Sequence, residues 1–273
     1  MKLKLIFTII LICFGIYGFS EEYSDTVKPE LVYDTSLLES NNIIRVGVLY
    51  KLKPHWHIYW KNSGDSGLPT KIKFILPDGF EAGDINWPIP NAYKRSGDIL
   101  DYGYEDQVLL WSDVKVPYDY KKISDIQVGI KTKWVSCEEI CIPGKAEFTE
   151  NIDLKHKIKL FNIWSPNLPA NKNNNFDIKV VSSDNNYEII INNKGLGNDF
   201  KLFPNPGKAI DIESISYKDN GNNRSDILFT VTIYPGHEVN TNKIDTVISY
   251  VDKENTRKGF NYSINIEDLI VKN

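Results

Sequence analysis

Two thiols four positions apart, Cys137 and Cys141 in the run Trp134-Val135-Ser136-Cys137-Glu138-Glu139-Ile140-Cys141-Ile142-Pro143-Gly144, are the residues of this chain best equipped for chemistry. A helical or tight-turn i, i+4 pair falls within the Cα separation that a disulfide tolerates, so a local bridge is feasible if the backbone between them makes one turn. As a staple it offers little: closing a loop of about five residues is worth about 2 kcal/mol of chain entropy. A short covalent loop is, however, open to reduction, which suits an electron carrier better than a brace. Glu138 and Glu139 disfavour a thiolate between them, so the pair lacks the electropositive setting of a strongly attacking cysteine. It reads as a pair acted on by a partner's thiolate, or one that becomes reactive inside a complex. Pro143-Gly144 is expected to end the turn and release the chain into a new strand.

The third cysteine, Cys13, sits in an export signal. Lys2 and Lys4 precede an apolar run from Leu5 to Phe19, with small residues at Gly18 and Ser20 before Glu21, so residues 1–20 are expected to be a cleavable signal peptide. The run is short of the ~20 apolar residues that span a bilayer, and Ile12 before Cys13 argues against lipid attachment. Cleavage takes the formal charge from −4 to −6, through the loss of Lys2 and Lys4. It leaves an even pair of cysteines in an oxidising compartment. An acidic chain without a basic cluster argues against nucleic acid as a partner.

The elements that must position the pair are β-strands. Short apolar runs bounded by Gly, Pro, Asn and Asp recur with hardly a helical period: Ile43 to Leu52, His55 to Trp60, Thr70 to Leu76, Gln107 to Val116, Ile126 to Val135 and Ala146 to Leu154. Such spacing predicts a sandwich or barrel over residues 21–154. Residues 155–175, with Pro166, Pro169 and the run Asn171-Lys172-Asn173-Asn174-Asn175, read as a polar linker. Seven further runs follow in 176–273: Phe176 to Val181, Tyr187 to Asn192, Phe200 to Pro204, Ala209 to Tyr217, Ile227 to Tyr234, Asp245 to Val251 and Gly259 to Ile266. The expected fold class is all-β, two immunoglobulin-like sandwiches in tandem, the second without cysteine and of unassigned role.

Two other stretches of the first unit are dense in functional side chains. In a strand, His55, His57 and Tyr59 line one face while Trp56, Ile58 and Trp60 line the other, the core face. The two histidines could join the cysteines around a soft metal such as copper(I), although an HxH pair is more simply hydrogen-bonded or exposed. Asn62 to Thr70 reads as a loop whose glycines permit positive φ. Tyr102-Gly103-Tyr104-Glu105 reads as a loop before the strand at Gln107, able to shield a reactive disulfide or to pack at the sandwich edge.

Taken together, HIYWKNSGDSGLPT (57–70), WPIP (87–90), YGYE (102–105) and WVSCEEICIPGKAEF (134–148), in this order and spacing, closely resemble the N-terminal periplasmic domain of the DsbD thiol:disulfide interchange family, including its copper-tolerance-associated relatives. The resemblance covers roughly residues 28–154 and places Cys137 and Cys141 on the family's redox pair, inside an immunoglobulin-like sandwich. It implies a periplasmic electron carrier working by thiol–disulfide exchange through mixed disulfides, with no cofactor and no metal. Tyr102, Tyr104, Glu105, Trp134, His57 and Tyr59 become the candidate shell or cap around the pair. The chain shows no membrane span after Phe19 and no CxxC, so electrons are expected from a membrane-embedded thiol reductase of the DsbD type supplied in trans. They are expected to leave to periplasmic thioredoxin-like or disulfide-isomerase-type proteins, cytochrome maturation among their uses. Two other readings stay open: a copper(I) module built on Cys137, Cys141 and His55 or His57, and a structural binding protein with an incidental disulfide.

Overall fold

The structure, a computed structural model, describes residues 25–266 apart from 96, 98, 121–125, 172–175, 184–185, 194, 207–209, 222–223 and 234–242. The expected signal peptide, with Cys13, lies outside the described residues. Four antiparallel sheets form two sandwiches. In the first sandwich, β1 (Val27–Asp34), β2 (Ile43–Leu52), β8 (Gln107–Lys115) and β5 (Glu81–Asn86) make one sheet in the order β1-β2-β8-β5, and a one-turn helix, α1 (Leu38–Asn41), joins β1 to β2. The facing sheet runs β10 (Cys141–Asn151), β9 (Gln127–Cys137), β3 (His57–Gly64), β7 (Leu100–Glu105), β6 (Asn91–Lys94), with β4 (Lys71–Ile75) also paired to β9. Val46, Val48, Tyr50, Ile58, Trp60, Leu110 and Trp134 fill the space between.

β2 is buried over seven consecutive residues, so it lacks the alternation of a half-exposed strand. The cause is a second cover. α2 (Leu160–Trp164) lies across the outer face of this sheet, where fully buried Phe161 packs on Leu49, Leu109 and Trp111. Burying one such ring stabilises by roughly 1.5–3 kcal/mol. Arg45 fastens the helix: its guanidinium pairs with buried Asp34 at 2.5 Å, donates to Asn162 Oδ1 at 3.0 Å and lies 5.1 Å from the Phe161 ring centre. The span 155–175, expected to be a polar linker, therefore contributes a core side chain to the first sandwich.

The second sandwich packs β11 (Phe176–Ser183), β12 (Asn186–Asn193), β15 (Arg224–Ile233) and β14 (Ile210–Gly221) against β13 (Asn198–Pro206), β16 (Lys243–Val251) and β17 (Arg257–Asn265). Phe200, Leu202, Phe229, Ile244, Ile248 and Ile264 form its core. The two units are joined by more than the chain. Fully buried Phe203 of β13 sits edge-on to Trp60 and Tyr102, and Arg257 donates to Asn91 Oδ1 and the Pro90 carbonyl. Asn62 also donates to the Pro204 carbonyl at 2.7 Å.

Three differences from the sequence expectation have physical causes. β1 carries Pro29, which has no N–H to donate, and an edge strand accommodates it because it pairs on one side only. β5 has a register shift between Ala82 and Ile85, so its residues do not alternate regularly. Tyr102-Gly103-Tyr104-Glu105, expected as a loop, is strand β7, with both tyrosines buried and Gly103 directly opposite Tyr59.

Candidate functional site

The cysteine pair closes a hairpin. β9 ends at Cys137, residues 138–140 make the tip, and β10 starts at Cys141 in register with Cys137. The two are disulfide-bonded with Cα atoms 4.2 Å apart. The link is thus a cross-strand rung at the end of a ladder, not a bridge within a helical turn. Pro143 and Gly144, expected to end the turn, lie instead inside β10, which is an edge strand and so tolerates a proline.

The two sulfurs differ in exposure. Cys137 is fully buried, whereas Cys141 is exposed. β3 runs alongside with His57 opposite Cys137, which brings both His57 and Tyr59 to the pair. The Tyr59 hydroxyl donates to Cys137 Sγ at 3.0 Å and lies 3.9 Å from Cys141 Sγ. Burial raises the pKa of this phenol, so it remains a donor at neutral pH. The loop after β3 closes over Tyr59 at Gly67, whose φ is +72° and where a Cβ atom would meet the phenol ring at 2.1 Å. Only glycine fits there.

His57 is held neutral. Burial, and secondarily the positive charge of Arg95, lower its pKa to about 4, against a smaller opposing effect of Asp101. Its ring stacks on Tyr93 with centroids 4.8 Å apart, and its Nε2 accepts from Arg95 at 2.9 Å. That nitrogen is therefore committed to a hydrogen bond rather than to a metal, and His55 sits exposed at a turn with φ +70°. Among the described residues no three His, Cys, Asp or Glu side chains gather as a set of metal ligands.

Arg95, which nothing in its local sequence marks, ties the site together. Its guanidinium donates to the Glu138 carbonyl at the hairpin tip at 3.0 Å and pairs with fully buried Asp101, Nε to Oδ2, at 2.6 Å. Asp101 Oδ1 in turn accepts from the Ser66 backbone N–H and hydroxyl. One arginine thus links the cysteine hairpin, His57 and the loop covering Tyr59. Of the other expected shell residues, Trp134 is buried behind the hairpin against Tyr50, and Gly144 exists where a Cβ would strike its ring at 2.4 Å. Tyr102 packs on Phe203, Tyr104 donates to the Pro88 carbonyl, and Glu105 stands exposed opposite His57. Both tyrosine side chains belong to the core, so neither lies as a lid on the sulfurs.

Below the disulfide the outer face of the sheet opens into a groove of about 610 Å³, whose apolar wall includes Leu68, Pro69, Val135 and Pro143. Val135 and Pro143 are the next outward pair down the ladder from Cys137 and Cys141. The arrangement is a β-sandwich presenting a disulfide with one buried and one exposed cysteine at a sheet edge, beside an apolar groove.

Residues 24–153 match the family model described as thiol:disulfide interchange protein DsbD, N-terminal. Over these residues, just under half of the chain, the first sandwich matches that family, and its bonded cysteine pair supports a thiol–disulfide interchange domain. Comparison with curated proteins gives no match. Among solved structures, the N-terminal periplasmic domain of ScsB from Proteus mirabilis is similar over 89% of this chain and 94% of its own, with a TM-score of 0.64 and 16% identity. This similarity extends the shared fold across both sandwiches. The Enterococcus faecalis MSCRAMM ACE, at 12% identity, 88% and 94% coverage and a TM-score of 0.21, is too dissimilar to inform the fold. Among the described residues no helix is long and apolar enough to cross a membrane.

Proposed function

We propose that this chain is a periplasmic electron carrier whose Cys137–Cys141 disulfide takes reducing equivalents from a membrane-embedded thiol reductase of the DsbD type and passes them to thioredoxin-like or disulfide-isomerase-type partners. The observation that carries this reading is the asymmetry of the pair, one sulfur buried beneath a phenol and the other exposed. An incoming thiolate can reach only Cys141 Sγ. A partner S–Sγ bond forms there, the Sγ–Sγ bond breaks, and Cys137 leaves as a thiolate that accepts the Tyr59 hydrogen bond. A second thiolate of the partner then attacks its own half of the mixed disulfide and releases Cys141. The partner dithiol is oxidised to a disulfide, the pair gains two electrons and, with two protons, becomes a dithiol. Delivery onward runs the same steps in reverse, with Cys141 as the attacking thiolate.

Trapping in the periplasm tests this. Cys137→Ser leaves Cys141 exposed with no resolving thiol and should accumulate a disulfide-linked adduct. Cys141→Ser leaves only the buried Cys137 and should accumulate far less. Empty traps from both variants, in cells that express the reductase, would overturn the carrier reading.

A further inference from the structure

The second sandwich takes hold of one segment of the first, Trp87-Pro88-Ile89-Pro90, which lies just before β6. From within the first sandwich, the Tyr104 hydroxyl donates to the Pro88 carbonyl at 2.7 Å. From the other side, the Ile89 N–H donates to the Asn167 carbonyl at 2.9 Å. Arg257, the first residue of β17, donates to the Pro90 carbonyl and, at 2.8 Å, to Asn91 Oδ1. β17 lies so close that a Cβ atom at Gly259 would meet the Ile89 side chain at 2.9 Å. With no N–H on either proline, the segment offers a neighbour mainly carbonyl acceptors, which the forked donors of a guanidinium suit.

The same segment leads straight into the redox site. It continues as β6, four residues long and paired on one side only, to β7. So short a strand at a sheet edge has little hold of its own. Tyr93 of β6 receives a hydrogen bond from Asn91 at 3.4 Å and stacks on His57. Arg95, two residues further on, donates to His57 Nε2 and to the Glu138 carbonyl at the hairpin tip. Residues 87–95 thus run without a break from the second sandwich to the cysteine hairpin, with Arg257 fastened near one end and Arg95 standing at the other.

We propose that Arg257 is a positioning residue for the Cys137–Cys141 pair: by fixing the start of β6 it places Tyr93 and Arg95, and through them the hairpin tip that keeps the two cysteines in register. The second sandwich then serves the redox chemistry of the first. The use of this device in the cell rests on the carrier reading, whereas its measurement does not. With the tip held, the reduced Cys137 stands beside Cys141 and recloses at a high effective concentration; with the tip freed, that concentration falls and the pair is easier to reduce. In the reclosing step the Cys137 thiolate attacks Cys141 Sγ in its mixed disulfide with glutathione, the Sγ–Sγ bond forms, and glutathione leaves as a thiolate.

The test compares the full chain with its Arg257→Met, Arg257→Lys and Asn91→Ala variants, and with Ile264→Val as a control in the second core. Equilibration with glutathione, acid quench and alkylation gives the constant for closing the pair. Hydrogen exchange on the oxidised protein follows the Glu138 amide, which donates to the Ile140 carbonyl across the tip. A displacement of about 1 Å costs a proximity-dependent step up to about a hundredfold, and Arg257→Met should lose about three- to tenfold in the closing constant. Tenfold corresponds to a potential about 30 mV less negative. Glu138 exchange should quicken by a similar factor. Asn91→Ala, at an exposed side chain, should move both readouts the same way by less, and Arg257→Lys should recover part of the loss. Ile264→Val should lower the melting temperature and leave both readouts at wild type. Wild-type readouts in Arg257→Met and Asn91→Ala, or shifts in Ile264→Val as large as those in Arg257→Met, would overturn the inference. Should Arg257→Met not fold, Asn91→Ala decides alone. If neither glutathione nor dithiothreitol opens the wild-type pair, the carrier reading falls, while Glu138 exchange still decides whether Arg257 places the tip.

Discussion

Replacing Tyr59 by phenylalanine removes one oxygen atom and leaves the packing beneath Gly67 and beside His57 in place. That oxygen donates to Cys137 Sγ at 3.0 Å, so its value to the protein depends on the charge of the sulfur. In the disulfide the acceptor is neutral and the bond is worth about 1 kcal/mol or less; in the opened pair it serves a thiolate, where such bonds are worth roughly 1.5–3 kcal/mol. The difference appears as a leaving group harder to form. Opening by dithiothreitol should slow about ten- to a hundredfold, and ionisation of the reduced Cys137 should move up by roughly 1–2 pH units; measured above that ionisation, where the reduced pair holds a thiolate, the reduction potential should fall by roughly 30–60 mV. The assays are quenched-alkylation kinetics, ultraviolet thiolate absorbance against pH, and equilibration with a glutathione buffer. If Tyr59→Phe opens at the wild-type rate with an unmoved thiolate titration, Cys137 is not the leaving group and the order of attack given above is wrong.

Other consequences are open to measurement. Because His57 has a folded-state pKa of about 4 against an ordinary value of 6.5, the unfolded chain binds a proton first as pH falls, so its contribution to stability is full above 6.5 and drains away toward 4. The loss is at most about 3 kcal/mol, less where solvent screens the ring, and urea titrations of His57→Gln should show a correspondingly flatter stability profile over that range. Arg95→Gln leaves the buried Asp101 carboxylate unpaired, which should cost roughly 3–5 kcal/mol in denaturant unfolding, and should loosen the hairpin tip and the Ser66 loop together, read as faster amide exchange at both sites; equal protection would refute the linkage. Phe161→Ala should cost roughly 3–5 kcal/mol by emptying the space under α2, and a cost below about 1 kcal/mol in denaturant unfolding would show that α2 is not part of the first sandwich.

The strand ladder was largely legible because most core strands announce themselves as apolar runs; the run Ile43 to Leu52 coincides with β2 to the residue. The chemistry was legible too, since two cysteines four apart need no tertiary information to suggest a bridge. What failed were features set by distant neighbours. Gly103 looked like a turn residue, yet it is there because a Cβ would come within 2.1 Å of the Ile58 carbonyl where β7 crosses β3. Phe161 was hidden in a stretch that ends in prolines and asparagines. Arg95 reaches His57 and the Glu138 carbonyl across 38 and 43 positions of sequence, a relation that no local spacing encodes. The unequal exposure of the two sulfurs, on which the mechanism depends, likewise arises from β3 lying against one side of the hairpin.

The most direct measurement of the central claim is the reduction potential of the Cys137–Cys141 couple in the intact protein, obtained by equilibration with glutathione or dithiothreitol buffers and counting of free thiols. A carrier should show a reversible two-electron couple among those of exchange proteins, between roughly −270 and −120 mV. A value below about −300 mV, in the range of structural bridges, would contradict it.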